Sequence, residues 1–118
     1  MLTEQEIFSR VAAHLLLQNK KSFYSPDNVR EICAYRGEGG TKCAVGCLLE
    51  DDEYRPYMED KGVDRLLSLT PDGFRNFGVQ NHNLLCDLQY IHDYMQPVEW
   101  KTALGQVAMQ YGLQQGGV

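Results

Sequence analysis

The stretch TEQEIFSRVAAHLLL, which begins at Thr3, permits one local structure. Thr3 and Glu6 stand at capping-box spacing: the hydroxyl accepts from the Glu6 N–H, and the carboxylate reaches back to the Thr3 N–H. Ile7, Phe8, Val11, Ala12, Leu15 and Leu16 follow at helical spacing and form one apolar stripe. The pattern fades near Gln18 to Lys21, and SFYSPDN after it is rich in turn formers.

Two later segments carry the same signal. NHNLLCDLQYIHDYM predicts a helix capped by Asn81 or Asn83, with Leu84, Leu88, Ile91 and Met95 as its stripe and Leu85 and His92 at one margin. Pro97 suits the first position of a last helix, whose Trp100, Leu104, Val107, Ala108 and Tyr111 share a face, and Gly112 is a natural stop. VDRLLSL predicts a short helix, and TPDGFRNFG a loop anchored by Phe74 and Phe77. From Val29 to Tyr35 the pattern fits strand and helix alike. ICAYR, GEGG and TKCAV can form a hairpin, or a helix can start near Lys42 or Cys43 and run to Leu49.

The expected fold is therefore mainly α, a single globular domain over 1–118 with four to five helices and one possible small hairpin near residues 32–45. Residues 113–118 are expected to form a flexible tail. Phe8, Val11, Leu15, Leu48, Leu66, Leu84, Leu88, Ile91, Leu104 and Val107 are expected in the core. A chain of 118 residues with 43% apolar and 23% charged residues suits such a domain. No apolar run approaches a membrane span, and the acidic N-terminus does not look like a secretory signal. The expected location is the cytoplasm, where four cysteines stay reduced.

Three of those cysteines fall in CAYRGEGGTKCAVGC, starting at Cys33. Cys43 and Cys47 share a helix face if that segment is helical, as do His82 and Cys86. A tetrahedral zinc site from these four joins two helices, with Cys33 and His92 as further candidates. No CxxC knuckle supports it, and thiols also pack as small apolar groups. No metal ligand or cofactor is assigned, and a zinc-stabilised module stands as one alternative. On a helical wheel His82, Cys86, Gln89 and Asp93 lie opposite Leu84, Leu88 and Ile91. Cys43 at a helix start, with His92 and Asp93, is a conceivable Cys/His/Asp arrangement. No sequence signature surrounds it, and no catalytic residue is assigned.

The turn RGEGGTK offers Arg36, Gly39, Gly40, Thr41 and Lys42 as a cradle for phosphate or a nucleotide. Its order differs from a P-loop. EDDEYRPYMED is the sharpest charge feature: Glu50, Asp51, Asp52, Glu53, Glu59 and Asp60 stand against one cation, Arg55, in a chain of net charge −5. Tyr54 and Tyr57 interleave aromatic anchors, so the run can engage a basic partner surface. The same net charge argues against direct binding to nucleic-acid phosphates.

The segment CAYRGEGGTKCAVGCLLEDDEY resembles a group of small, mostly uncharacterised proteins of bacteriophages, prophages and bacteria. These carry a CAYR…G…KCAVGCL segment, an acidic D-E-Y stretch, and later LQ..HD and a Trp-containing last helix. The matching parts here are Cys33–Arg36, Lys42–Leu48, Asp52–Tyr54, Leu88–Asp93 and Trp100. The resemblance implies a viral or mobile-element setting and transfers no catalytic residue. The leading expectation is a non-enzymatic binding protein that engages a host protein with a basic surface, such as a nucleic-acid-handling or defence complex, through residues 50–60. A small-ligand site at residues 36–43 is the alternative from another class. A homo-oligomer is also compatible.

Overall fold

A computed structural model of the chain describes residues 1–116. Four helices carry it: α1 (Glu4–Gln18), α2 (Val63–Leu69), α3 (His82–Tyr94) and α4 (Pro97–Tyr111). Strands β1 (Phe23–Tyr24) and β2 (Ile32–Cys33) form an antiparallel pair in which Phe23 faces Cys33 and Tyr24 faces Ile32. This is a mainly α single domain, as the periodicity predicts.

The caps of α1 and α4 form where the sequence places them, whereas Asn81, at the N-cap position of α3, makes no side-chain bond to that helix and instead accepts the Gly78 N–H at 3.0 Å. Glu6 N–H donates to Thr3 Oγ1 at 3.1 Å and Thr3 N–H to Glu6 Oε1 at 2.9 Å, closing the capping box. Pro97 is the first residue of α4, and Gly112 ends it in the left-handed region at φ 66°. α1, α3 and α4 pack on one another and α2 packs on α3. All ten expected core residues are buried, and Phe74 and Phe77 pair with ring centroids 4.9 Å apart. Trp100 is fully buried, donates from its ring N–H to Met95 O at 3.0 Å and stacks on His92.

Two local expectations differ. Ile32–Cys33 pairs with Phe23–Tyr24, not with Thr41–Val45, because the backbone of that segment is already held by helices. Gln18 accepts the Lys42 N–H at 3.0 Å, and Gln89 accepts the Val45 N–H at 3.0 Å. The helix expected from Lys42 to Leu49 is reduced to a 3₁₀ turn at Gly46–Leu48. There the chain runs directly over Tyr35: a Cβ on Gly46 would lie 2.4 Å from the Tyr35 carbonyl oxygen.

In the expected tail, Leu113 packs partly against the core, and Gln114 exchanges two hydrogen bonds with Gln5 of α1, at 2.8 and 3.0 Å. Gly117 and Val118 lie outside the described residues. Among those described, no helix is long and apolar enough to cross a membrane.

Candidate functional site

The acidic run divides by side-chain length. Its three glutamates turn inward and hold other parts of the chain. Glu59 accepts the Tyr35 N–H at 2.9 Å, the Arg36 N–H at 3.0 Å and the Tyr54 hydroxyl at 2.6 Å. Glu53 accepts the Glu50 N–H at 3.1 Å and the Arg75 N–H at 2.7 Å. Glu50 accepts from the Asn76 amide at 3.2 Å. The three aspartates face water. Asp51 meets Arg36 at 3.1 Å with its side chain 90% exposed, and Asp52 meets Arg75 at 2.8 Å with 69% exposed. The Arg75 bond holds the Asp52 carboxyl below its usual range. Such exposed pairs contribute little and leave the carboxylates accessible. Asp60 is exposed in the left-handed region at φ 62°, and the Tyr57 ring is 60% exposed. Tyr54 is half-buried beneath the Arg36 guanidinium, and burial pushes its hydroxyl up to about 12.

The glycine turn is built differently from an anion cradle. Arg36 points back into the protein and donates to Gly46 O at 2.6 Å and to Leu49 O at 2.9 Å. Three of the turn's backbone amides are committed too. Gly37 N–H bonds Thr41 O at 2.9 Å, Thr41 N–H bonds Glu38 O at 3.4 Å, and Lys42 N–H goes to Gln18. Gly39 and Gly40 supply the positive φ angles of 70° and 77° that the turn requires. The Lys42 carbonyl is in turn held by His14 Nε2 at 2.8 Å. Half-buried and close to Lys42, the His14 imidazole is held below its ordinary pKa, chiefly by desolvation.

The four candidate zinc residues are not gathered. Cys43 is buried and its sulfur accepts the Gly46 N–H at 3.3 Å; desolvation pushes its thiol far up. Burial likewise raises Cys47 to about 12. Both pack as small apolar groups, Cys43 within the core and Cys47 against it. Among the described residues, two other groupings of ligand-type side chains form: Cys33 with His92 and Asp93, and Asp64 with His82 and Cys86.

The first grouping explains why a Cys/His/Asp catalytic arrangement fails. The Ser22 backbone N–H donates to His92 Nε2 at 2.9 Å, so that nitrogen carries no hydrogen. Nδ1 therefore holds the ring proton and donates it to Asp93 Oδ1 at 2.8 Å. Neither nitrogen is free to take a proton from a thiol. Cys33 beside it is pushed up to about 11, by burial and then by Asp93. A cleft of about 210 Å³ borders this grouping and reaches Asp60 and Lys61 at the end of the acidic run.

The second grouping lies at the start of α3. Cys86 Sγ is 3.5 Å from His82 Nε2, the same nitrogen that meets Asp64 Oδ1 from α2, and His82 Nδ1 lies 3.0 Å from Asn83 Oδ1. The wheel line thus splits: His82 and Cys86 reach the surface, whereas Gln89 is buried against Val45 and donates to Asp93 at 2.8 Å. Asp64 carries no motif of its own, so only the packing of α2 on α3 identifies it. Tyr90 and Tyr94, with tilted rings 4.9 Å apart, lie exposed on α3.

Comparison of the chain with protein-family models, with curated proteins and with solved structures finds no match.

Proposed function

We propose that the protein is a non-enzymatic binding domain whose acidic 50–60 loop engages a basic protein surface. The observation that carries the reading is the division of the run into an inner row of glutamates and an outer row of aspartates. Glu50, Glu53 and Glu59 fix the loop to Asn76, Arg75, Tyr35 and Arg36. Asp51, Asp52 and Asp60 are left outward with Tyr57. A loop already held in one shape loses little further entropy on binding. Its outward carboxylates steer an oppositely charged surface and set the register of contact, while Tyr57 supplies apolar area. The cleft beside Asp60 offers an adjoining recess for a basic side chain. The resemblance to phage and prophage proteins motivates a host protein, such as a nucleic-acid-handling or defence complex, as the partner.

The test is capture from bacterial lysate by the native chain and by Asp51→Lys/Asp52→Lys/Asp60→Lys, with circular dichroism to establish that both are folded. The expected result is a protein retained by the native chain at low salt, weakened at high salt and lost on charge reversal. Identical captured sets for the two chains would overturn the reading.

A further inference from the structure

We propose that Asp64, His82 and Cys86 form a zinc site with three protein ligands and a solvent-facing fourth position. Oδ1, Nε2 and Sγ of these residues all lie within 4.8 Å of one another. The Sγ–Nε2 separation is 3.5 Å. Donors at about 2.3 Å (sulfur) and about 2.0–2.1 Å (nitrogen) from one tetrahedral zinc stand roughly 3.5 Å apart, so the Sγ–Nε2 pair has the spacing the ion needs, whereas Oδ1, hydrogen-bonded to Nε2, has to withdraw by rotation of the exposed Asp64 side chain to admit it. His82 and Cys86 are one helical turn apart on α3 and therefore share a face. Asp64 comes from the first turn of α2, so the ion would join two helices.

The surroundings also fit. His82 Nδ1 meets the Asn83 side-chain oxygen, an acceptor, which places a hydrogen on Nδ1 and aims Nε2 at the other two ligands. Orientation of a ligating imidazole through its second nitrogen is the usual support of a zinc site. Among the described residues, the ion-pair partner of Asp64 is His82, with no lysine or arginine. Zinc binding releases two protons to solvent, that of the Nε2–Oδ1 hydrogen bond and that of the Cys86 thiol, so one carboxylate and one thiolate balance the two positive charges. A thiolate with an imidazole selects zinc over magnesium or calcium, which prefer oxygen ligands. With the Asp64 side chain 80% exposed and that of His82 43%, water reaches the fourth position. The Cys33–His92–Asp93 grouping lacks this capacity, because coordination by His92 would orphan the buried Ser22 N–H.

The experiment is a Co²⁺ titration of untagged, full-length, chelator-treated protein. A sulfur-to-cobalt charge-transfer band should saturate at one equivalent and be displaced by Zn²⁺. It should vanish in Cys86→Ser, weaken roughly tenfold or more in Asn83→Ala, and persist in Cys33→Ser. At a hundredfold excess over Kd, zinc should raise the melting temperature of the native chain by roughly 10 °C. It should leave Cys86→Ser and the exposed-site variant Asp64→Ala unmoved, and Mg²⁺ should shift none of them. Absence of the band in the native protein, or its survival in Cys86→Ser, overturns the proposal.

Discussion

The division of the acidic run makes a quantitative demand on Glu59. Its carboxylate accepts two backbone N–H groups, of Tyr35 and Arg36, and the Tyr54 hydroxyl. In Glu59→Ala the half-buried Tyr54 hydroxyl can turn toward water, but the two amides cannot move without displacing buried Ala34 and Tyr35. An orphaned buried donor costs about 1–3 kcal/mol. Allowing for partial access of water, the pair sets a loss of about 2–4 kcal/mol, or roughly 8–16 °C in melting temperature at about 4 °C per kcal/mol. Glu59→Gln keeps one acceptor but turns its NH₂ toward the other amide, so its loss should be intermediate, about 1–2 kcal/mol. Asp51→Ala, removing a side chain that is 90% exposed, should stay within about 0.5 kcal/mol. Urea denaturation followed by circular dichroism measures all three, provided the slope m is unchanged. A loss below about 1 kcal/mol for Glu59→Ala, or equal losses for Glu59→Ala and Asp51→Ala, would refute the distinction between inner and outer carboxylates.

Three further outcomes follow from named contacts. Gly46→Ala drives a Cβ into the Tyr35 backbone and should destabilise by about 2–4 kcal/mol in thermal melts. His14, with its folded pKa lowered by desolvation, contributes stability that is complete above its unfolded value of about 6.5 and lost as pH falls below it. His14→Gln retains a donor for the Lys42 carbonyl without titrating, so paired melts should show its stability falling less than that of the native chain below that pH. In zinc-free protein at pH 8, iodoacetamide should label Cys86 at the surface of α3 first. Cys33 and Cys47, pushed up to about 11 and about 12, and buried Cys43 should stay unlabelled until the chain unfolds, as peptide mass mapping would show.

The helices were legible because their signals are local. A threonine and a glutamate three residues apart fix the start of α1, Pro97 and Gly112 bracket α4, and the apolar stripes name core residues that are all buried. The connections were not legible, because their partners are remote in sequence. Val45 is held by Gln89, and Tyr35 by Glu59. The wheel drew attention to His82 and Cys86, yet Asp64 enters their group only through tertiary packing of α2 on α3. The charge count of the run overstated its free charge for the same reason: spacing does not reveal which carboxylates face an amide.

That inward use of carboxylates has a physical origin in the fold. The connection from Asn19 to Gly62 contains two strands of two residues each, so few of its backbone amides find partners in a sheet. Buried amides must nevertheless be satisfied. Side-chain acceptors do it instead: Gln18 for Lys42, Gln89 for Val45, His92 for Ser22, Glu53 for Glu50, and Glu59 for Tyr35 and Arg36. Within the acidic run the carboxylates that reach these amides are those of Glu53 and Glu59, and the outward ones are those of Asp51, Asp52 and Asp60. The acids required for folding and the acids available to a partner are therefore different residues. Reversing Asp51, Asp52 and Asp60 should alter recognition while the loop keeps its shape, whereas any change at Glu59 acts on the loop itself.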